Sequence, residues 1–144
     1  MSVVLRFFYH GSRLLLGALF LYAGALKATD VAAFAGSVAS YQILPYAWNI
    51  LLAAILPYVE ILVGVLLLAN TRVRASALLS GVLSGIFLAA LGSALARGLK
   101  IDCGCFRPES HSPLWLAIAR DVGILLLAAL TYRLRGRKTR EIAR

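Results

Sequence analysis

The sequence predicts an all-α integral membrane protein: a four-transmembrane-helix bundle, both termini cytoplasmic, with a short interfacial helix between spans 1 and 2. Three observations carry this. Of the 144 residues, 61% are hydrophobic, and the mean hydropathy is +0.85, too oily for a soluble domain of this length. The apolar residues gather in runs of roughly 20, the number that crosses a hydrocarbon core about 30 Å thick at about 1.5 Å per residue. The charged residues lie almost wholly outside those runs. No polar block is large enough to fold alone, so residues 1–144 read as a single membrane domain.

The first span is expected at about 14–28, flanked by Arg13 and Lys27, whose long side chains are expected to snorkel outward and lengthen it. Arg6, Arg13, an apolar run and Ala23-Gly24-Ala25 also resemble a signal peptide. The continuation "LFLYAGALKATD" into amphipathic sequence favours a retained span. Between spans 1 and 2, "DVAAFAGSVASYQILP" repeats Val31, Phe34, Val38 and Tyr41 at helical spacing. That predicts the interfacial helix, stopped by Pro45. The second span is expected at 48–69, the third at 75–96 and the fourth at 113–132, with Ser112 as its cap and Pro113 in its first turn. In the third, Ala77, Gly81, Gly85, Ala89 and Ser93 recur every four residues, a stripe that lets another helix come close.

The net charge of +9 does not point to nucleic acid, because six Lys/Arg sit in the tail 133–144, where a solvated basic segment meets anionic lipid. Lys and Arg report orientation instead. Arg6, Arg13, Arg72, Arg74 and the six in the tail fall on one side, against Lys27, Arg97, Lys100 and Arg107 on the other. The richer side is cytoplasmic. Loop 97–112 therefore faces the periplasm or exterior, and the chain is expected in a bacterial cytoplasmic (inner) membrane.

That loop holds the only two cysteines, Cys103 and Cys105, separated by Gly104. Outside the cytoplasm disulfides form and persist. A ring this small sits at the upper edge of disulfide geometry and is easily reduced, which suits exchange. Gly104 supplies the backbone freedom. Lys100 and Arg107 favour a thiolate, Asp102 opposes it, and His111 is placed to help proton transfer. Two other readings stay open: a local structural disulfide, or a metal site drawing on His111 or Asp102. C-x-C is a weak metal signature, and no second cysteine cluster completes a set, so no metal is assigned.

Inside the spans stand Glu60, three residues after Pro57, and Arg120 and Asp121. Ionisable groups at that depth face the bundle interior in pairs. Glu60–Arg120 is the expected pair, with Lys27 as the alternative partner. Together they predict a polar pocket beneath the cysteine loop, able to take a quinone head group or pass protons, with Tyr22, Tyr41 and Tyr58 as candidate walls. The competing reading is that the charges only lock helix register. His10 is expected at the cytoplasmic interface.

"LLLGALFLYAGALKATD", "YQILP", "LPYVEILVGVLLL", "RGLKIDCGCF" and "ARD" occur in this order. In these the chain resembles the MauE (methylamine utilisation) branch of the DoxX-like membrane proteins. The resemblance implies a four-span bundle working in periplasmic redox maturation beside a thioredoxin-like, MauD-like partner, of the kind that serves methylamine dehydrogenase. It implies Cys103 and Cys105 as the redox pair and Glu60, Arg120 and Asp121 as the intramembrane polar set. The activity so implied is thiol–disulfide oxidoreduction linked to quinone or to a partner protein. Membrane disulfide generators with two cysteine pairs share the four-span layout, but this chain has one pair, so that pair must do both jobs or a partner must bring the second. A second copy of the chain is a further candidate partner. A non-enzymatic scaffold subunit with a structural Cys-Gly-Cys bridge, and a metal-handling protein, are the alternative functions.

Overall fold

A computed structural model describes residues 3–99 and 114–142. They form α1 (Val3–Thr29), α2 (Val31–Ser40), α3 (Tyr46–Leu68), α4 (Val73–Ala96) and α5 (Leu114–Ile142). Four helices are long and apolar enough to cross a membrane, and α2 is the short one between the first two. Large side chains such as Ile55, Leu62, Ile86 and Leu126 are exposed around the bundle, which suits lipid rather than water. Tyr46, Trp48 and Trp115 are exposed at the end where α2 lies, like the aromatic belt of a membrane interface.

Several boundaries differ from expectation for local reasons. α1 begins at Val3, ahead of 14, because Tyr9, Ser12 and Arg13 are buried and continue the helix face that packs inward. α5 carries on through the expected tail to Ile142. α2 opens on Asp30, whose carboxylate accepts from Ala33 N at 2.9 Å. It ends at Tyr41, before Pro45: Gln42 turns left-handed at φ 51°, and Pro45 instead caps the start of α3, accepting from Trp48 N at 3.0 Å. Arg97 fastens this turn, donating to Tyr41 O and, at 3.3 Å, to Gln42 O.

α1 lies against α3 and α5, α4 against α5 and α3, and α2 mainly on α3. The closest approach is α1 on α3. A Cβ on Gly24 would stand 2.7 Å from Pro57 O, and one on Gly64 would stand 2.7 Å from Leu21 N and 2.8 Å from Gly17 O. Only hydrogen fits there. The stripe expected on the third span plays a smaller part. Gly81 meets Ala128 on α5, Gly85 has nothing within 4 Å, and Ala89 and Ser93 are exposed. Of the stripe, Ala77 is buried, and the face α4 buries otherwise runs beside it through Ser76, Ser80, Ser84 and Leu91. Tyr9, Leu16, Phe20, Val63, Leu67 and Ile124 centre the main core, and Tyr41, Leu91, Ala94 and Ala117 form a second cluster.

Candidate functional site

The buried face of α1 passes through Leu16, Phe20 and Gly24 and reaches Lys27 two residues before the helix ends. Lys27 is therefore turned inward, not outward as snorkelling requires, and is 5% exposed. Its ammonium donates to Glu60 Oε1 at 2.6 Å. Two rings flank the same ammonium, Phe34 of α2 at 5.1 Å and Phe87 of α4 at 5.0 Å from their centroids. A desolvated cation between aromatic faces gains on the order of 2 kcal/mol. Phe34, the one residue of α2 buried in full, thus covers the site from its end.

The expected Glu60–Arg120 pair is not what forms. Arg120 turns to its own neighbour, donating from Nε at 3.1 Å and Nη2 at 3.0 Å to Asp121 Oδ1. Adjacent helical residues point in different directions, but the long arginine side chain folds back to the carboxylate. Lys27 wins Glu60 because α1 and α3 are drawn together by Gly24 and Gly64, which brings the ammonium to the carboxylate.

Glu60 and Asp121 each give one oxygen to a cation. Their other oxygens, Oε2 and Oδ2, are buried with no hydrogen-bond partner among the described residues. Both residues line a cavity of about 40 Å³. All four spans contribute to it: Phe20 and Lys27, Glu60, Ser84 and Phe87, Arg120 and Asp121. The ionic groups sum to no net charge. Tyr22, Tyr41 and Tyr58 are not its walls: Tyr22 and Tyr58 face outward, and Tyr41 sits in the second cluster. Pro57 packs in the α1 contact instead of lining the space.

Sequence reasoning missed a second buried set at the opposite end. Arg13 is buried, and its Nη1 donates at 3.0 Å to Leu68 O, at the end of α3, and at 2.5 Å to Leu67 O, which also accepts from Asn70 N at 3.2 Å. Tyr9 donates to Asn70 Oδ1 at 2.9 Å, Thr131 to Ser12 Oγ at 3.1 Å, and Arg135 to Tyr9 Oη at 3.4 Å. The signal was available: Tyr9, Arg13, Leu16, Phe20, Gly24 and Lys27 share one helical face of α1. His10 stacks edge-on against Tyr9, with centroids 5.0 Å apart.

Lys100, Asp102, Cys103, Gly104, Cys105, Arg107 and His111, with the Ser112 and Pro113 start of the fourth span, lie outside the described residues. No cluster of metal-binding side chains occurs among the described residues. In sequence, the segment with the cysteines joins the end of α4 to the start of α5.

The family model "Methylamine utilisation protein MauE" matches residues 5–134. No curated protein and no solved structure matches the chain.

Proposed function

The chain belongs to the MauE family of methylamine utilisation proteins, and from that premise we propose that it is a thiol–disulfide relay at the extracytoplasmic face of a bacterial inner membrane. In this reading Cys103 and Cys105 exchange with a thioredoxin-like protein that matures periplasmic enzymes of the methylamine dehydrogenase type. One thiolate of the partner attacks a sulfur of the Cys103–Cys105 bridge and displaces the other sulfur, giving a mixed disulfide. The partner's second thiol then attacks that bond. The partner leaves as a disulfide and the pair is left as two thiols, two electrons and two protons having passed between them. The reverse sequence runs the other way.

The observation that carries the reading is the placement of the four-charge cavity. Asp121 lies seven residues inside α5, about 10 Å below its start at about 1.5 Å per residue. The start of α5 is where the cysteine segment ends. Charges buried that deep are rare unless a function keeps them. Loop 97–112 on the periplasmic side and both termini in the cytoplasm follow from the Lys and Arg distribution.

In this reading the other electron carrier is a quinone or a second thiol protein. The test is to change Cys103 and Cys105 singly to serine and trap adducts by acid quench and alkylation. At least one variant should accumulate a mixed disulfide with a thioredoxin-like protein, and both should stop turnover of that partner. Unchanged partner redox state in both variants refutes the relay and leaves the scaffold reading, with a structural Cys-Gly-Cys bridge.

A further inference from the structure

Arg74, in the first turn of α4, stands outside the hydrogen-bonded set at the end of the bundle opposite α2. Its guanidinium lies across α5. The central carbon is 4.9 Å from the centroid of the Tyr132 ring, and Nη2 donates to Tyr132 Oη at 3.4 Å. A Cβ on Gly136, one turn further along α5, would stand 3.8 Å from the same nitrogen. An aromatic face at one position and no side chain at the next turn make a bed that suits the plane of a guanidinium.

That bed leaves most of the five guanidinium N–H groups for another acceptor. Arg74 is exposed, and so are Arg72 in the preceding turn and Arg133 next to Tyr132. The ion pairs among the described residues, Lys27–Glu60 and Arg120–Asp121, lie elsewhere. In sequence, this end holds one acid, Glu141, against Arg6, Arg72, Arg74 and the six cations of 133–144.

Three properties define the ligand. It is an anion. Its charge is spread over several oxygens, because forked N–H groups take phosphate two bonds at a time. It also has an apolar part. Arg74, Leu78 and Val82 follow one another every fourth residue, on one face of α4, and Leu78 and Val82 are 59% and 51% exposed. A cation at the water boundary above an apolar strip matches a phosphate above an acyl chain. A soluble anion or a nucleic acid makes no use of the strip.

We propose that Arg74, held by Tyr132, binds the phosphate of an anionic phospholipid, with Arg72 and Arg133 beside it and an acyl chain along Leu78 and Val82. This is a defined site, unlike the diffuse attraction of a basic tail for an anionic leaflet. It stands independently of the relay reading.

The test is native mass spectrometry of the full chain released from detergent, titrated with phosphatidylglycerol and with phosphatidylcholine. The first phosphatidylglycerol should bind several-fold tighter than phosphatidylcholine. Arg74→Gln should weaken it about tenfold or more, the worth of a charge-assisted hydrogen bond. Tyr132→Leu keeps every charge but removes the bed, and should weaken it several-fold. Arg140→Gln combined with Arg144→Gln removes more charge, from the tail, and should leave it nearly unchanged. Arg74→Lys serves if the glutamine variant does not fold: it keeps the charge, loses the fork and should still bind several-fold more weakly. Equal affinity for the two lipids, unchanged binding in the Arg74 or Tyr132 variants, or an equal loss from the tail pair overturns the proposal. So does displacement of phosphatidylglycerol by an equal concentration of free glycerol phosphate, which marks a site for soluble anions.

Discussion

The two ends of the bundle bury similar residues to different effect. At the far end, Arg13 reaches α3 carbonyls through Nη1 while its Nε has no partner among the described residues, and Tyr9, Ser12, Asn70 and Thr131 form hydrogen bonds that tie α1 to α5 and to the α3–α4 turn. At the α2 end, Lys27 and Arg120 each meet one oxygen of a carboxylate, leaving the second oxygens buried without a partner among the described residues. A cation spent on backbone carbonyls fastens helices. Cations spent on half a carboxylate neutralise a charge inside the bundle. The comparison separates a cation that joins helices through backbone carbonyls from cations that pair with buried carboxylates.

The sharpest way to break this contrast is to remove one partner at the α2 end. Lys27→Met strands a buried carboxylate and should lower stability by about 3–5 kcal/mol, read from unfolding in mixed detergent micelles. Adding Glu60→Gln should restore most of the loss, because the stranded charge disappears. No recovery in the double variant would mean that Lys27 acts through its Phe34 and Phe87 packing and not through Glu60. At the far end, Arg13→Met removes charge-assisted bonds but strands no opposite charge. Its cost should be smaller, about 1.5–3 kcal/mol in the same assay. An Arg13→Met loss exceeding that of Lys27→Met would invert the assignment of the two ends.

The smallest effects sharpen the geometry between the ends. Gly24→Ala and Gly64→Ala put a methyl against backbone atoms and should cost about 1–3 kcal/mol each. Gly85→Ala, facing open space, should be neutral or stabilise by about 0.4–1 kcal/mol. If Gly24→Ala separates α1 from α3, a cross-link between cysteines placed at exposed positions of those helices will also slow. A uniform response at all three glycines would show that α1 and α3 are not the close pair.

Four spans and the helix after Asp30 were legible because apolar length and helical spacing are local properties, readable without knowing any neighbour. So were three of the ionic groups, since Glu60, Arg120 and Asp121 interrupt apolar runs. Lys27 and Arg13 were expected to snorkel because each stands at the edge of an apolar segment, where flanking charge and buried charge look alike; the alternative pairing of Lys27 with Glu60 is the one that forms. The α4 stripe misled in another way. Small residues every four positions permit close approach, but α1 and α3 achieve it with three glycines spaced less regularly, at Gly17, Gly24 and Gly64.

The sequence by itself determined the solvent of this protein, its number of spans, its charged groups and its membership of a family. Only the tertiary structure decided which charge meets which, where the glycines let helices touch, and that Glu60 and Asp121 border one cavity. Periodicity fixes which residues share a face of one helix. The rotation and height of one helix against another depend on packing among all four, and a pairing at 2.6 Å depends on both.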